Sequence, residues 1–140
     1  VGWLAIEKRR VELGVPRFGA DMDENTLLPE AGIEPRAVSS SKGCYIGQEV
    51  IARLDSYNKV QRRLVRLKME GLPLKLPERI LFEREECGTI TSALKLRHSS
   101  ECRGLGYVKT THHGRSSKMS FRNGNMEIGI VIDEPDVLPI

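Results

Sequence analysis

Apolar and polar positions follow two rhythms along this chain, one before residue 60 and another after it. In the first part Trp3, Ile6, Arg10 and Leu13 recur at helical spacing. Ala5, Glu7, Lys8, Arg9, Arg10 and Glu12 mostly favour helix, Gly14 is a natural stop, and Pro16 follows. A helix over Trp3–Leu13 is expected, with Arg10 the one charged member of its stripe. Residues 14–41 read as connected loops, broken by Gly14, Pro16, Gly19, Pro29, Gly32 and Pro35. So long a stretch without regular structure is uncommon unless it is functional or disordered. Ser39-Ser40-Ser41 then offers helix-capping hydroxyls. A second helix is expected from about Cys44 to Leu54, with Ile46, Val50 and Leu54 as its buried stripe. Tyr45, Glu49 and Arg53 form another stripe, with Glu49 one turn before Arg53 for an ion pair. Cys44 and Gln48 share a third face.

After Asn58 the period becomes two. Val65, Leu67 and Met69 alternate with Arg66 and Lys68, Ile80 and Phe82 with Leu81 and Glu83, and Ile128, Ile130 and Ile132 with Gly129 and Val131. Residues 88–92 and 105–109 are also strand-like. Turn signals stand at Gly71-Leu-Pro73, Arg103-Gly104 and Asn123-Gly124-Asn125, with Asn123-Gly124 the best single hairpin turn. Several short strands in about 80 residues without helical spacing predict a small antiparallel barrel or sandwich. The expected class is α+β, with residues 1–60 forming one part and 61–140 the barrel.

Composition narrows this picture only a little. The chain has 140 residues, 39% hydrophobic and 29% charged, which excludes a disordered or collagen-like chain. Aromatics make up 5%, so the core must be mainly aliphatic. Residues 1–60 hold eight basic and nine acidic side chains, and residues 61–140 fourteen and ten. The net charge of +3 is too small to point to nucleic acid by itself. No apolar run reaches the length of a membrane span, and no secretory leader is visible. Val1 stands first, not Met, which suggests processing or a piece of a longer protein. Cys44, Cys87 and Cys102 form neither a disulfide framework nor a zinc pair, so reduced thiols in a cytosol-like compartment are expected.

The segment Lys42-Gly-Cys-Tyr-Ile-Gly-Gln-Glu49 carries the most chemistry. It sets a thiol at the first turn of a helix, two residues after a lysine, and both features favour thiolate. Gly43 and Gly47 would admit a ligand or a second backbone. The plainer alternative is a small apolar cysteine packed at a helix start. His98, His112 and His113 are expected at the surface, the last two on opposite faces if they lie in a strand, so no metal site is expected. The acidic run Asp21, Asp23 and Glu24 lacks calcium-loop spacing and is expected as a solvated loop. Arg62, Arg63, Arg66 and Lys68 could touch phosphate, but no aromatics interleave with them to stack bases.

The Lys42–Glu49 octapeptide resembles the K-G-C-[FY]-x-G-Q-E signature of the YgfZ-type folate-binding proteins, relatives of the aminomethyltransferase (T-protein) of the glycine cleavage system. Arg10-Val-Glu-Leu-Gly14, Arg17-Phe-Gly19 with Asp21, and Glu30-Ala-Gly32 resemble flanking family segments. Gly88-Thr-Ile-Thr-Ser92 and Leu105-Gly-Tyr-Val108 resemble strands of the family's C-terminal barrel. The resemblance implies the end of a folate-binding lobe over 1–60 followed by that barrel. It implies tetrahydrofolate as cofactor, with Glu30 on the pterin ring, Arg10 nearby, Lys42, Tyr45 and Gln48 as further contacts, and Cys44 as a working thiol. A carboxylate suits the ring because it can accept two hydrogen bonds from the amino-pyrimidine edge.

Cys44 favours the YgfZ-like branch over the T-protein, which lacks it. That branch is associated with iron–sulfur enzyme maintenance, with iron–sulfur clients as partners, and with tRNA modification. The location this implies is cytoplasmic, or the mitochondrial matrix in a eukaryote. The alternatives are an aminomethyltransferase, whose catalytic aspartate would lie outside this chain, and a barrel that only docks on a partner. Taken alone, the chain is expected to bind folate weakly or not at all, to lack catalysis, and to self-associate through an incomplete lobe.

Overall fold

The computed structural model describes residues 2–37, 39, 41, 43, 44, 46, 49 and 60–133, leaving aside the side chains of 114–117. Helix α1 spans Trp3–Glu12, α2 Leu28–Ala31 and α3 Glu34–Ala37. Six strands follow: β1 Arg62–Met69, β2 Glu78–Phe82, β3 Glu85–Lys95, β4 Cys102–Lys109, β5 Met119–Asn123 and β6 Met126–Ile132. A 3-10 helix, Thr110–Lys118, joins β4 to β5.

The strands close into an antiparallel barrel in the order β1-β4-β3-β2-β5-β6. Alternation drives closure, since Val65, Leu67 and Met69 of β1 meet Ile80, Phe82, Ile90, Val108, Phe121 and Ile130 in one buried cluster. Strand β4 departs from alternation: residues 104–108 are buried without interruption. Its inner side chains join the core, while Leu105 and Tyr107 point outward and are still buried, beneath residues 1–37. Gly104 and Gly106 allow this strand to lie close to β3. A Cβ on Gly106 would stand 2.5 Å from the Thr89 carbonyl oxygen and 2.9 Å from Leu67 Cδ1.

Several sequence expectations are corrected. Arg103-Gly104 is not a turn but lies inside β4, paired with Lys68 and Leu67. Strand β5 was not anticipated. The β5–β6 hairpin forms where expected, but its two-residue turn is Gly124-Asn125, one position after the expected Asn123-Gly124, because Asn123 still pairs with Met126. Short helices α2 and α3 interrupt the expected loop, α2 ending on Gly32 in the left-handed region at φ 68°. His112 and His113 lie in the 3-10 helix, both half-buried. His112 packs edge-on against Phe82 at 5.1 Å, and the His113 ring nitrogen meets the Val108 carbonyl at 3.3 Å. The expected 44–54 helix falls mostly outside the described residues. Within it, Ile46 is fully exposed, which removes it from the expected buried stripe.

Candidate functional site

Helix α1 forms where expected but does not dock by its Trp3–Ile6–Leu13 stripe. Trp3 and Ile6 are 62% and 51% exposed, and Val11 is the buried residue. Polar chemistry holds the helix instead. Arg10 donates to both Glu7 oxygens, to the Val15 carbonyl at 3.1 Å, to Ser92 Oγ at 3.0 Å and to Asp21 Oδ2 at 2.5 Å. Asp21 also accepts from the Arg17 backbone at 3.0 Å, and from Thr91 and Ser92 hydroxyls at 2.6 Å each. Asp21 is therefore not a solvated loop residue; it is 2% exposed and fully engaged. The Arg10 hydrogen bonds hold the Glu7 carboxyl below the usual range, against the opposing effect of its burial. Burial lowers the Arg10 pKa, but Glu7 and Asp21 together push it up. At the far end of α1, Arg66 donates to the Glu12 carbonyl at 2.5 Å, placing a cation on the helix C-terminus.

Between this clasped segment and the outer barrel face lie cavities. One of about 570 Å³ is lined by Arg17, Asp21, Thr26, Arg62, Thr91 and Tyr107, among others. This volume is in the range of small-molecule sites. A second, about 310 Å³, lies between Leu13, Ala31 and Gly32 on one side and Leu64 and Leu105 on the other. Glu30, on α2, extends Oε2 to Arg62 Nε at 3.2 Å with its side chain 12% exposed. The Arg62 guanidinium lies over the Tyr107 ring at 4.9 Å. The Tyr107 hydroxyl is buried and has no hydrogen-bond partner among the described residues. Burial pushes its pKa up to about 12; Thr26 lies close enough to temper the rise but completes no hydrogen bond.

The structure thus brings Glu30 to an Arg–Tyr wall that sequence reasoning did not assemble. From the sequence alone Arg62 is one member of a basic strand face and Tyr107 a strand residue. Arg10 lies on the other side of this region, committed to Glu7, Asp21 and Ser92. Cys44 is an exposed free thiol at the surface, not an apolar filler, and does not line the cavities above. Lys42, Tyr45 and Gln48 lie outside the described residues. Among the described residues no group of three or more His, Cys, Asp or Glu could hold a metal ion, and no helix is long and apolar enough to cross a membrane.

No protein-family model matches the chain. It is 34% identical over 109 residues to a chloroplastic protein of Arabidopsis thaliana, assigned to the transferases by name alone, covering 78% of this chain and 25% of that one. It is 29% identical over 129 residues to an aminomethyltransferase of Rippkaea orientalis, covering 90% and 34%. It is 36% identical over 66 residues to the mitochondrial iron–sulfur cluster assembly factor IBA57 of Mus musculus, covering 46% and 18%. Among solved structures, the glycine cleavage system aminomethyltransferase T of Bartonella henselae superposes with a TM-score of 0.80 at 18% identity, over 96% of this chain and 38% of that one. The barrel with its few helices is the fold of that protein's matched part. The chain spans about a third or less of the length of each of these curated relatives.

Proposed function

We propose that this chain, a relative of the aminomethyltransferases and of the iron–sulfur cluster assembly factors IBA57, is part of a folate-binding accessory protein of the YgfZ type. Its work is the upkeep of iron–sulfur enzymes, tRNA-modifying ones included. The observation that carries the reading is the Arg62–Tyr107 pair, which lines a cavity of about 570 Å³, with Glu30 held on Arg62 just outside that lining. A half-buried carboxylate beside an arginine–tyrosine stack can accept hydrogen bonds from the amino-pyrimidine edge of a planar ring. Glu30 uses Oε2 on Arg62, and no hydrogen bond to its Oε1 is found among the described residues. The exposure of the Cys44 sulfur supports a reactive role for it. The relatives' names carry chloroplastic and mitochondrial locations, which favours an organelle over the cytoplasm for the eukaryotic members.

Tetrahydrofolate titrated against the complete gene product tests the first part. Glu30→Gln is expected to weaken binding about tenfold, the loss of one hydrogen bond to a charged group. Equal affinity in the variant would overturn the assignment. Cys44→Ser tests the second part: unchanged iron–sulfur enzyme activities in cells would remove the thiol from the account.

A second reading, aminomethyl transfer to folate, is favoured by the 29% identity to the Rippkaea enzyme over nearly the whole chain. Formation of methylene-tetrahydrofolate from an aminomethylated carrier separates the two, since the accessory reading expects none.

A further inference from the structure

Beside the Glu30 wall lies a smaller cavity of about 330 Å³, lined by Arg62, Glu86, Cys87, Gly88, Thr89, Tyr107 and Lys109. Its electrostatics are one-sided. Arg62 and Lys109 are direct cross-strand partners on β1 and β4. Like charges at such a position repel and disfavour the pairing unless an anion lies between them. Among the described residues the Lys109 ammonium reaches a main-chain oxygen, that of Glu86, at 3.2 Å and no carboxylate. The cavity's one lining carboxylate, Glu86, pairs with Arg79 at 3.5 Å, and Arg79 is not among the lining residues. Burial pushes the Cys87 thiol pKa up, so it stays neutral and adds no negative charge. Tyr107, whose buried hydroxyl lacks a partner among the described residues, lines this cavity as well as the larger one. A buried donor without an acceptor is costly, and a ligand oxygen would relieve it.

We propose that this cavity is an anion subsite, which takes the carboxylate or phosphate oxygens of a small ligand between the Arg62 guanidinium and the Lys109 ammonium. The two cations suit the task differently. The planar fork of Arg62 can meet two oxygens side by side, and the Lys109 ammonium supplies a compact charge from the opposite strand. Glu30 is the internal competitor, since it already holds one edge of Arg62. The subsite does not depend on the folate reading, and its fate is read separately.

The test uses the 140-residue chain, isotopically labelled, with glutarate and inorganic phosphate titrated separately at constant ionic strength. Saturable shifts of the Thr89, Val108 and Lys109 amide signals are expected. Arg62→Gln and Lys109→Gln should each weaken binding about tenfold, while Arg97→Gln, at an exposed position outside the cavity lining, should leave it unchanged. Saturation by glutarate alone assigns a carboxylate ligand, by phosphate alone a phosphorylated one, and by both a site for either; each supports the proposal. Glu30→Gln, which frees Arg62, should tighten anion binding although it weakens folate, so the two readings fail independently. No saturation with either probe, equal weakening in Arg97→Gln, or weaker anion binding in Glu30→Gln would overturn it. Lys109 is exposed, so Lys109→Gln keeps the test valid even if a second variant fails to fold.

Discussion

Replacing Asp21 by Asn tests whether the clasp between α1 and the barrel is as polar as the geometry indicates. The two side chains are nearly isosteric, so the change is one of charge and hydrogen-bond direction. Oδ1 accepts from Thr91 and Ser92, and an amide oxygen can keep both bonds. Oδ2 accepts from Arg10 and from the Arg17 backbone. An amide nitrogen there would turn a donor toward two donors. Hydrogen bonds to charged groups contribute about 1.5–3 kcal/mol each, and breaking a buried ion pair costs about 3–5 kcal/mol. Glu7 still holds Arg10 with two bonds, so the guanidinium is not orphaned. The lower end of the range applies, about 3 kcal/mol. Urea unfolding reads it as a lower midpoint at unchanged slope. Amide exchange adds location: protection over Trp3–Glu12 should fall more than protection in β1 or β6. A stability loss below about 1 kcal/mol, or uniform loss of protection across the chain, would refute a polar clasp.

Gly106→Ala should destabilise by about 2–3 kcal/mol, because the added methyl meets a main-chain oxygen that cannot move aside; thermal unfolding checks this, and a wild-type midpoint would be the contrary result. Glu83 and Arg84 form the β2–β3 turn with φ of 50° and 75°, both left-handed. Arg84→Gly should therefore stabilise by about 0.5–1 kcal/mol in the same assay, with no gain as the contrary result. The Tyr107 pKa is raised when folded, so its contribution is complete below the ordinary tyrosine value near 10 and is lost as pH rises to about 12. Stability should fall through that window more steeply in the wild type than in Tyr107→Phe, in which the buried Cys87 and Cys102 thiols still titrate. At neutral pH the same variant should be as stable as the wild type or about 1 kcal/mol more so.

The local rhythm made most of the barrel legible. Strands β1, β2, β4 and β6 stand where alternation or strand composition put them, because one residue in two faces a common core. Strand β5 escaped because its five residues follow a polar 3-10 helix, leaving too short a run for a period to register. Arg103-Gly104 was misread because glycine usually punctuates, whereas here it thins a strand where β3 lies against it. The Arg10–Asp21 clasp was illegible for a different reason. Whether an aspartate is solvated or buried depended on partners in β3, 70 and 71 residues away. The Glu30–Arg62 pair, 32 residues apart, was hidden in the same way. Family likeness singled out Glu30 but not its neighbours.

The distance between the clasp and its receptor bears on how the protein is made. The Arg10 guanidinium closes on Ser92, 82 residues further on. At synthesis rates of about 5–20 residues per second, the helix waits roughly 4–16 s after leaving the ribosome before its seat exists. At ten residues α1 is short for a helix that must persist without its Ser92 and Asp21 contacts. The clasp that fixes α1 can therefore close only after β3 has been made.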